Sequence, residues 1–176
     1  MRNEPARGTL TKGSVFLEKD NAANLLHDRG SFGVRNTQRH IELSLIEAYY
    51  LLTKGKIHIT SKSTLLDEES FLRRAKRIDR RFRVKYALYE TLRDRGYILK
   101  TALKYGADFR VYEKGVRPGD NHSRWLAYAV SETEYVSLTD FVAKNRVAHS
   151  ARKKLLLGII DNELSVTLYE IGWVKL

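Results

Sequence analysis

Three kinds of side chain with complementary chemistry are spread along the second half of the chain. Tyr112 ends a predicted strand, His122 follows the loop of residues 113–121, and the basic cluster Arg152-Lys153-Lys154 lies where a predicted helix is followed by a strand. RNA carries its own nucleophile, the 2′-hydroxyl beside each phosphate, so its cleavage needs a base, an acid and a cation but no metal. These residue types suit such a cleavage, although a single Tyr, His or Lys more often packs or lies at the surface.

The second half of the sequence predicts the strands and helices that would position these side chains. Short apolar or alternating runs predict strands at residues 109–112 and 125–130, and residues 154–160 and 165–171 flank a polar turn as a hairpin. Between the strands at residues 125–130 and 154–160, helical spacing over residues 138–148 predicts a helix. Its candidate core residues are Leu138, Phe141, Val142 and Val147. A sheet with separate helices makes this half an α+β module.

The first half predicts short strands at residues 14–17 and 56–59, together with helices. Apolar residues at helical spacing predict a helix over residues 42–52, and Ser63 or Thr64 can cap a second helix. One face of that second helix would carry Phe71, Ala75, Ile78 and Phe82. We place the domain boundary where this helix ends, which gives an N-terminal domain of residues 1–83 and a C-terminal domain of residues 84–176.

The second helix is also strongly basic. Between residues 73 and 83 a single acid, Asp79, accompanies seven basic residues, which are Arg73, Arg74, Lys76, Arg77, Arg80, Arg81 and Arg83. Charge alone favours a solvated helix face here over a nucleic-acid groove.

Composition narrows the class of protein. The 176 residues carry a net charge of +11, with a pI near 9.8, which favours a polyanionic partner. With no cysteine, disulfides, thiolate zinc sites, iron–sulfur clusters and cysteine nucleophiles are excluded. No apolar run approaches the roughly 20 residues that span a bilayer, and the opening residues lack the apolar stretch of a signal peptide, so we expect a cytoplasmic protein without membrane contact.

Several catalytic signatures are missing from the sequence. It has no Walker-type phosphate loop, no G-x-S-x-G nucleophile elbow, no H-E-x-x-H helix and no zinc-finger spacing. Its acidic residues are scattered, so a two-metal nuclease is poorly supported. We therefore expect neither a bound metal nor a cofactor.

Longer stretches around the candidate residues resemble a known family. They are Tyr89-Glu90-Thr91-Leu92-Arg93-Asp94-Arg95-Gly96-Tyr97, Lys104-Tyr105-Gly106-Ala107-Asp108-Phe109-Arg110-Val111-Tyr112, His122-Ser123, and Arg146-Val147-Ala148-His149-Ser150-Ala151-Arg152-Lys153. In order and spacing they are similar to the C-terminal catalytic domain of archaeal tRNA-splicing endonucleases. The first half resembles the smaller domain of the same family through residues 43–52, so the likeness covers nearly the whole chain.

The resemblance implies a fold, a reaction and three roles. The fold would be a small mixed N-terminal domain followed by a nuclease-like α/β domain with a central mixed sheet. Tyr112 would be the general base on the 2′-hydroxyl, His122 the general acid on the 5′ leaving oxygen, and Lys153 the stabiliser of the transition-state charge. The substrate would be precursor tRNA at a bulge–helix–bulge, and the products a 2′,3′-cyclic phosphate and a 5′-hydroxyl.

Contacts to the bulged bases are also implied by the resemblance. Arg146 matches the family arginine that stacks on a bulged base, although a salt bridge with Asp140 or Glu134 is an equal alternative. The second arginine of that clamp has no counterpart near the C-terminus, where Trp173 can stack or Lys175 can supply the charge.

The assembly follows from the resemblance as well. Short members of the family form tetramers in which an acidic loop enters a basic cleft of a neighbour, so we expect a homotetramer. Asp161-Asn162-Glu163 lies at the hairpin tip where that loop would be, and the basic run of residues 73–83 is one candidate receptor. A heterotetramer with a structural subunit is an alternative, and so is a chain that is itself the non-catalytic RNA-binding subunit.

Overall fold

The computed structural model of the protein describes residues 4–38 and 40–174. The chain forms two compact units, one ending at Phe82 and the other starting at Arg83. Each contains a mixed sheet and helices, which confirms the predicted α+β fold. The boundary placed after residue 83 stays a prediction. In the described part of the chain, no helix has the length and apolar character needed to cross a membrane.

The N-terminal unit is built on a six-stranded sheet in the order β3-β4-β2-β1-β5-β6. Among its described strand pairs, β1 and β5 are parallel and the others are antiparallel. The strands are β1 (Ala6–Leu10), β2 (Ser14–Leu17), β3 (Val34–Arg35), β4 (Ile41–Ser44), β5 (Ile57–Ser61) and β6 (Thr64–Leu66), and the helices are α1 (Asn21–Gly30), α2 (Leu45–Thr53) and α3 (Glu68–Ile78).

The first predicted helix begins three residues later than its apolar spacing indicates. Residues 42–44 belong to β4, and α2 starts behind a capping box in which Ser44 Oγ accepts from Glu47 N and a Glu47 carboxylate oxygen accepts from Ser44 N. The other carboxylate oxygen of the buried Glu47 accepts from Gly33 N at 3.0 Å. One glutamate therefore fixes both the start of the helix and the loop before β3.

The predicted cap of the second helix is wrong. Ser63 and Thr64 belong to the β5–β6 hairpin, in which Lys62 and Ser63 have left-handed backbone angles. The helix α3 instead starts after Asp67, whose carboxylate accepts from Ser70 N at 2.7 Å. Of its predicted apolar face, Phe71 and Ala75 are buried and Ile78 is 54% exposed.

The C-terminal unit holds a five-stranded sheet in the order β11-β10-β9-β8-β7. Its strands β9 and β10 are parallel, and the other pairs are antiparallel. The elements are α4 (Phe82–Asp94), β7 (Ile98–Ala102), a 3-10 turn (Leu103–Tyr105), β8 (Ala107–Tyr112), β9 (Trp125–Ser131), α5 (Leu138–Ser150), β10 (Lys154–Ile160) and β11 (Val166–Ile171).

The helices α4 and α5 cover opposite faces of this sheet. Side chains alternate between the faces along each strand. On β10, Leu155 packs with Ala148 of α5, whereas Gly158 faces Leu88 of α4. The predicted hairpin of β10 and β11 is confirmed, and its polar turn lies at residues 161–165.

The core residues predicted for α5 are mostly wrong. Phe141 packs against the α5 side of the sheet, but Leu138 is 82% exposed, and Val142 and Val147 are also exposed. The helix therefore buries a narrow stripe and leaves apolar side chains uncovered in the single chain.

Replacing Gly158 by alanine should destabilise the C-terminal unit. A Cβ at this position would lie 2.6 Å from Leu88 Cδ1. Because Leu88 is fully buried, the packing of α4 on the sheet must shift, at a cost of about 1–3 kcal/mol. Chemical denaturation measures the loss in the free energy of unfolding. Gly172→Ala is the matched control, since a Cβ there meets nothing within 4 Å, and equal stability of the two variants would contradict the close approach.

Candidate active site

A cavity of about 330 Å³ in the C-terminal unit brings the three predicted catalytic residues together. Tyr112 comes from the end of β8, His122 from the loop before β9, and Lys153 from the junction between α5 and β10. The residues that line the cavity are Tyr105, Arg110, Tyr112, Gly119, Asp120, Asn121, His122, Ser123 and Lys153. Side chains far apart in the sequence thus share one concave site.

Tyr112 is held in place by the sheet. It is the last residue of β8, pairs with Ile98 of β7 and is 4% exposed. Strand alternation places it on the same face as Arg110, which pairs with Leu126 on the α5 side of the sheet. The phenol therefore projects from a rigid element into the site.

His122 lies at the end of a loop that turns twice. Gly115 and Gly119 have left-handed backbone angles, and Pro118 and Asn121 form a short bridge. The backbone N–H of His122 donates to Asn121 Oδ1 at 2.8 Å, while the side chain is exposed and has no hydrogen-bond partner in the described ranges. Its imidazole is therefore available to a ligand in the cavity.

Lys153 is held by hydrogen bonds of both its backbone and its side chain. After α5 the chain turns through Arg152 in a left-handed conformation, and Lys153 N donates to Ala148 O at 2.8 Å. The Lys153 ammonium donates to Ser123 O at 2.7 Å. Burial of this ammonium, and then the positive charge of Arg110, lower the pKa of Lys153 below its ordinary value.

Two further cavity residues were not identified from the sequence. Ser123 holds Lys153 through its carbonyl, and its buried hydroxyl has no hydrogen-bond partner among the described residues. Arg110 lies two residues before Tyr112, and this spacing in a strand was the available signal, because it puts both side chains on one face. Ser123 could be found only through its position next to His122.

Two basic residues next to Ser123 and Lys153 in the sequence are paired on the opposite face of the sheet. Lys154 and Arg124 both form ion pairs with Glu170, and Trp125 Nε1 donates to the same carboxylate at 2.7 Å. The hydrogen bond from Lys154, followed by that from Trp125, holds the pKa of Glu170 below its ordinary value. Arg124 also pairs with Glu113. Of the predicted basic cluster, only Lys153 reaches the cavity.

The predicted RNA-binding residues lie outside the cavity wall. Arg146 is exposed on α5 and, within residues 4–38 and 40–174, pairs with neither Asp140 nor Glu134. Trp173 is 61% exposed, and its ring meets that of His149 edge-on at 4.7 Å, beside the end of α5. Lys175 lies outside the described residues. In the described part of the chain, no group of three or more His, Asp or Glu side chains could hold a metal ion.

Two domain families match the chain. Residues 82–168 match the family described as the tRNA intron endonuclease catalytic C-terminal domain, and residues 6–72 match the corresponding N-terminal domain.

Curated relatives are similar over most of the chain. A tRNA-splicing endonuclease of Nanoarchaeum equitans is 47% identical over 82% of this chain and 96% of its own length. One from Thermococcus onnurineus is 40% identical over 98% of both chains. Another from Methanothermobacter thermautotrophicus is 38% identical over 96% of this chain and 97% of its own length.

Proposed function

Because this chain belongs to the tRNA intron endonuclease family and is an endonuclease of tRNA splicing, we propose that Tyr112, His122 and Lys153 cleave precursor tRNA without a metal. The convergence of these three side chains on one cavity carries the proposal. A purely structural subunit of the same assembly would need the basic surface and the fold, but not a base, an acid and a cation around one space.

The proposed reaction is an internal displacement at phosphorus. The 2′-oxygen attacks the adjacent phosphorus while its proton passes to the phenolate oxygen of Tyr112, which becomes a neutral phenol. The bond from phosphorus to the 5′ oxygen breaks, and the His122 imidazolium protonates that oxygen. The Lys153 ammonium stabilises the negative charge on the non-bridging oxygens. The products are a 2′,3′-cyclic phosphate and a 5′-hydroxyl.

We place the reacting phosphate in a bulge–helix–bulge of the precursor. Bases outside a helix can be splayed and stacked on side chains, whereas the deep, narrow major groove of an RNA helix resists them. Arg146 is exposed and unpaired in the described ranges, and Trp173 presents most of its ring to solvent. Both suit stacking on a bulged base. Lys175, which lies outside the described residues, would supply the charge of the missing second arginine.

A 2′-deoxy substitution at one cleaved nucleotide should abolish cleavage at that splice site, because it removes the nucleophile. Precursor tRNA with its natural 2′-hydroxyl should be cut in excess EDTA, and end-group analysis should identify a cyclic phosphate and a 5′-hydroxyl. A 2′-deoxy substitution one nucleotide away is the control. Cleavage of the deoxy substrate, or a strict requirement for divalent metal, would contradict the mechanism.

Replacing His122 by alanine should slow single-turnover cleavage by roughly 10²–10⁴-fold, the usual scale for the loss of a general acid. Affinity for a precursor with 2′-deoxy substitutions at both cleaved nucleotides should stay nearly unchanged, because the exposed imidazole is not part of the packing. His58→Ala, which removes an exposed histidine from the N-terminal unit, is the matched control. A comparable loss of affinity and rate would point to a structural role for His122.

We also propose that the chain assembles into a homotetramer. In the single chain, α5 and the residues before it expose apolar side chains, among them Tyr135, Leu138, Val142 and Val147. Uncovered apolar surface of this kind favours a protein interface. The β11 strand is also an open edge of its sheet.

The acidic hairpin tip is the proposed second contact. Glu163 is exposed, while Asp161 accepts two backbone hydrogen bonds within the turn, which gives the tip a fixed shape. Its proposed receptor in a neighbouring subunit is the basic run of residues 73–83. A heterotetramer with a structural subunit is the alternative, and it predicts that the purified chain alone is inactive.

Replacing Leu138 by glutamate should reduce the oligomer size measured by sedimentation or light scattering. Leu138 is 82% exposed in the single chain, so the substitution disturbs an interface but not the fold. Leu103→Glu is the matched control, since Leu103 is 86% exposed in the turn between β7 and β8. An unchanged oligomer in Leu138→Glu would remove this face from the proposed interface.

A further inference from the structure

We propose that Arg110 is a second phosphate-binding residue of the active site, acting on the same phosphate as Lys153. The inference rests on the proposed function, because it assumes that the cavity binds the reacting phosphate. Arg110 lines the cavity together with Tyr112, His122 and Lys153.

The backbone holds Arg110 in a position suited to this role. It pairs with Lys100 of β7 and Leu126 of β9 in the middle of the sheet. Its Nε donates to Thr101 O at 3.2 Å, which anchors the inner edge of the guanidinium. The two terminal nitrogens have no partner among residues 4–38 and 40–174. They form the planar pair of donors that matches two oxygens of one phosphate.

The charged residues around the cavity favour the binding of an anion. Arg110 and Lys153 both face it, and the neighbouring titratable groups are Tyr105, Tyr112, His122 and one acid, Asp120. Asp120 is exposed on the loop and forms no ion pair with a described residue. The charge of Arg110 contributes to the lowered pKa of Lys153, so the two cations interact without a carboxylate between them. A phosphate bound by both would relieve their repulsion.

The unpaired hydroxyl of Ser123 is a separate observation on the same cavity. Its oxygen is buried and has no hydrogen-bond partner within the described ranges. A buried hydroxyl without a partner is unfavourable, typically by about 1–3 kcal/mol, and such groups are rare. Because Ser123 also lines the cavity, an oxygen of the bound phosphate is the proposed acceptor for this donor.

The effect of Arg110 should fall on the chemical step more than on binding. The bound phosphodiester carries one negative charge, and charge on its non-bridging oxygens grows in the crowded transition state. A guanidinium already oriented toward those oxygens stabilises the transition state more than the bound substrate.

The test compares Arg110→Met, which keeps the apolar stem, with Lys104→Met. Lys104 is exposed in the neighbouring turn and does not line the cavity, so both variants lose one positive charge. Single-turnover cleavage of precursor tRNA at saturating enzyme should slow by about 10²-fold in Arg110→Met. Affinity for the 2′-deoxy precursor should match that of Lys104→Met. Arg110→Lys should recover part of the rate, because it restores the charge without the planar pair of donors.

Three outcomes decide the matter. A rate for Arg110→Met equal to that of Lys104→Met, with Lys153→Ala slow, would overturn the role of Arg110 and leave the proposed function intact. Weaker binding at an unchanged rate would also overturn it, since Arg110 would then bind a different phosphate. If Lys153→Ala and Arg110→Met were both as fast as the original chain, the proposed catalytic site itself would fail. Should Arg110→Met not fold, as judged by chemical denaturation, the rate of Arg110→Lys decides in its place.

Discussion

The parallel pairing of β9 with β10 is the constraint on which the cavity depends. In this register Lys154 lies opposite Trp125, so the residues just before the two strands are also neighbours, and Lys153 reaches the carbonyl of Ser123. The antiparallel partner β8 has Val111 opposite Trp125, which brings Tyr112 to the same end of the sheet. Because parallel strands need a long connection, α5 crosses one face of the sheet and ends beside the cavity.

The two faces of the sheet carry two kinds of positive charge. Lys154 and Arg124 point to the α4 face, where Glu170 and Glu113 neutralise them. Lys153 and Arg110 belong to the α5 face, where the cavity offers no paired carboxylate among the described residues. A cation that already has a carboxylate partner in the fold has a structural role. When two cations are held close together, a bound anion lowers their electrostatic energy. Of the basic residues in this unit, Lys154 and Arg124 thus stabilise the fold, whereas Lys153 and Arg110 form a site for an anion.

Some secondary-structure elements were predicted correctly from the sequence and others were not. The helix predicted over residues 42–52, the final hairpin and the strand ending at Tyr112 follow from local spacing, and the structure contains all three, with the helix starting at residue 45. The prediction that Ser63 or Thr64 caps the helix was wrong because Lys62 and Ser63 form a two-residue hairpin turn with left-handed backbone angles. Asp67 caps the helix instead. The core of α5 failed because helical spacing identifies an apolar stripe without saying whether the same chain covers it.

The candidate site divides in the same way. The types and spacing of Tyr112, His122 and Lys153 can be read directly from the sequence. The same is true of the resemblance between the stretches around them and a known family. Three features of the site could not be predicted from the sequence. They are the anchoring of Lys153 on Ser123, the presence of Arg110 in the cavity and the pairing of Lys154 with Glu170. Each of these depends on strand register, which joins residues far apart in the chain, so that a shift of one position would turn every side chain to the other face. Local sequence fixes residue types and their periodicity, whereas only the assembled sheet decides which charges meet.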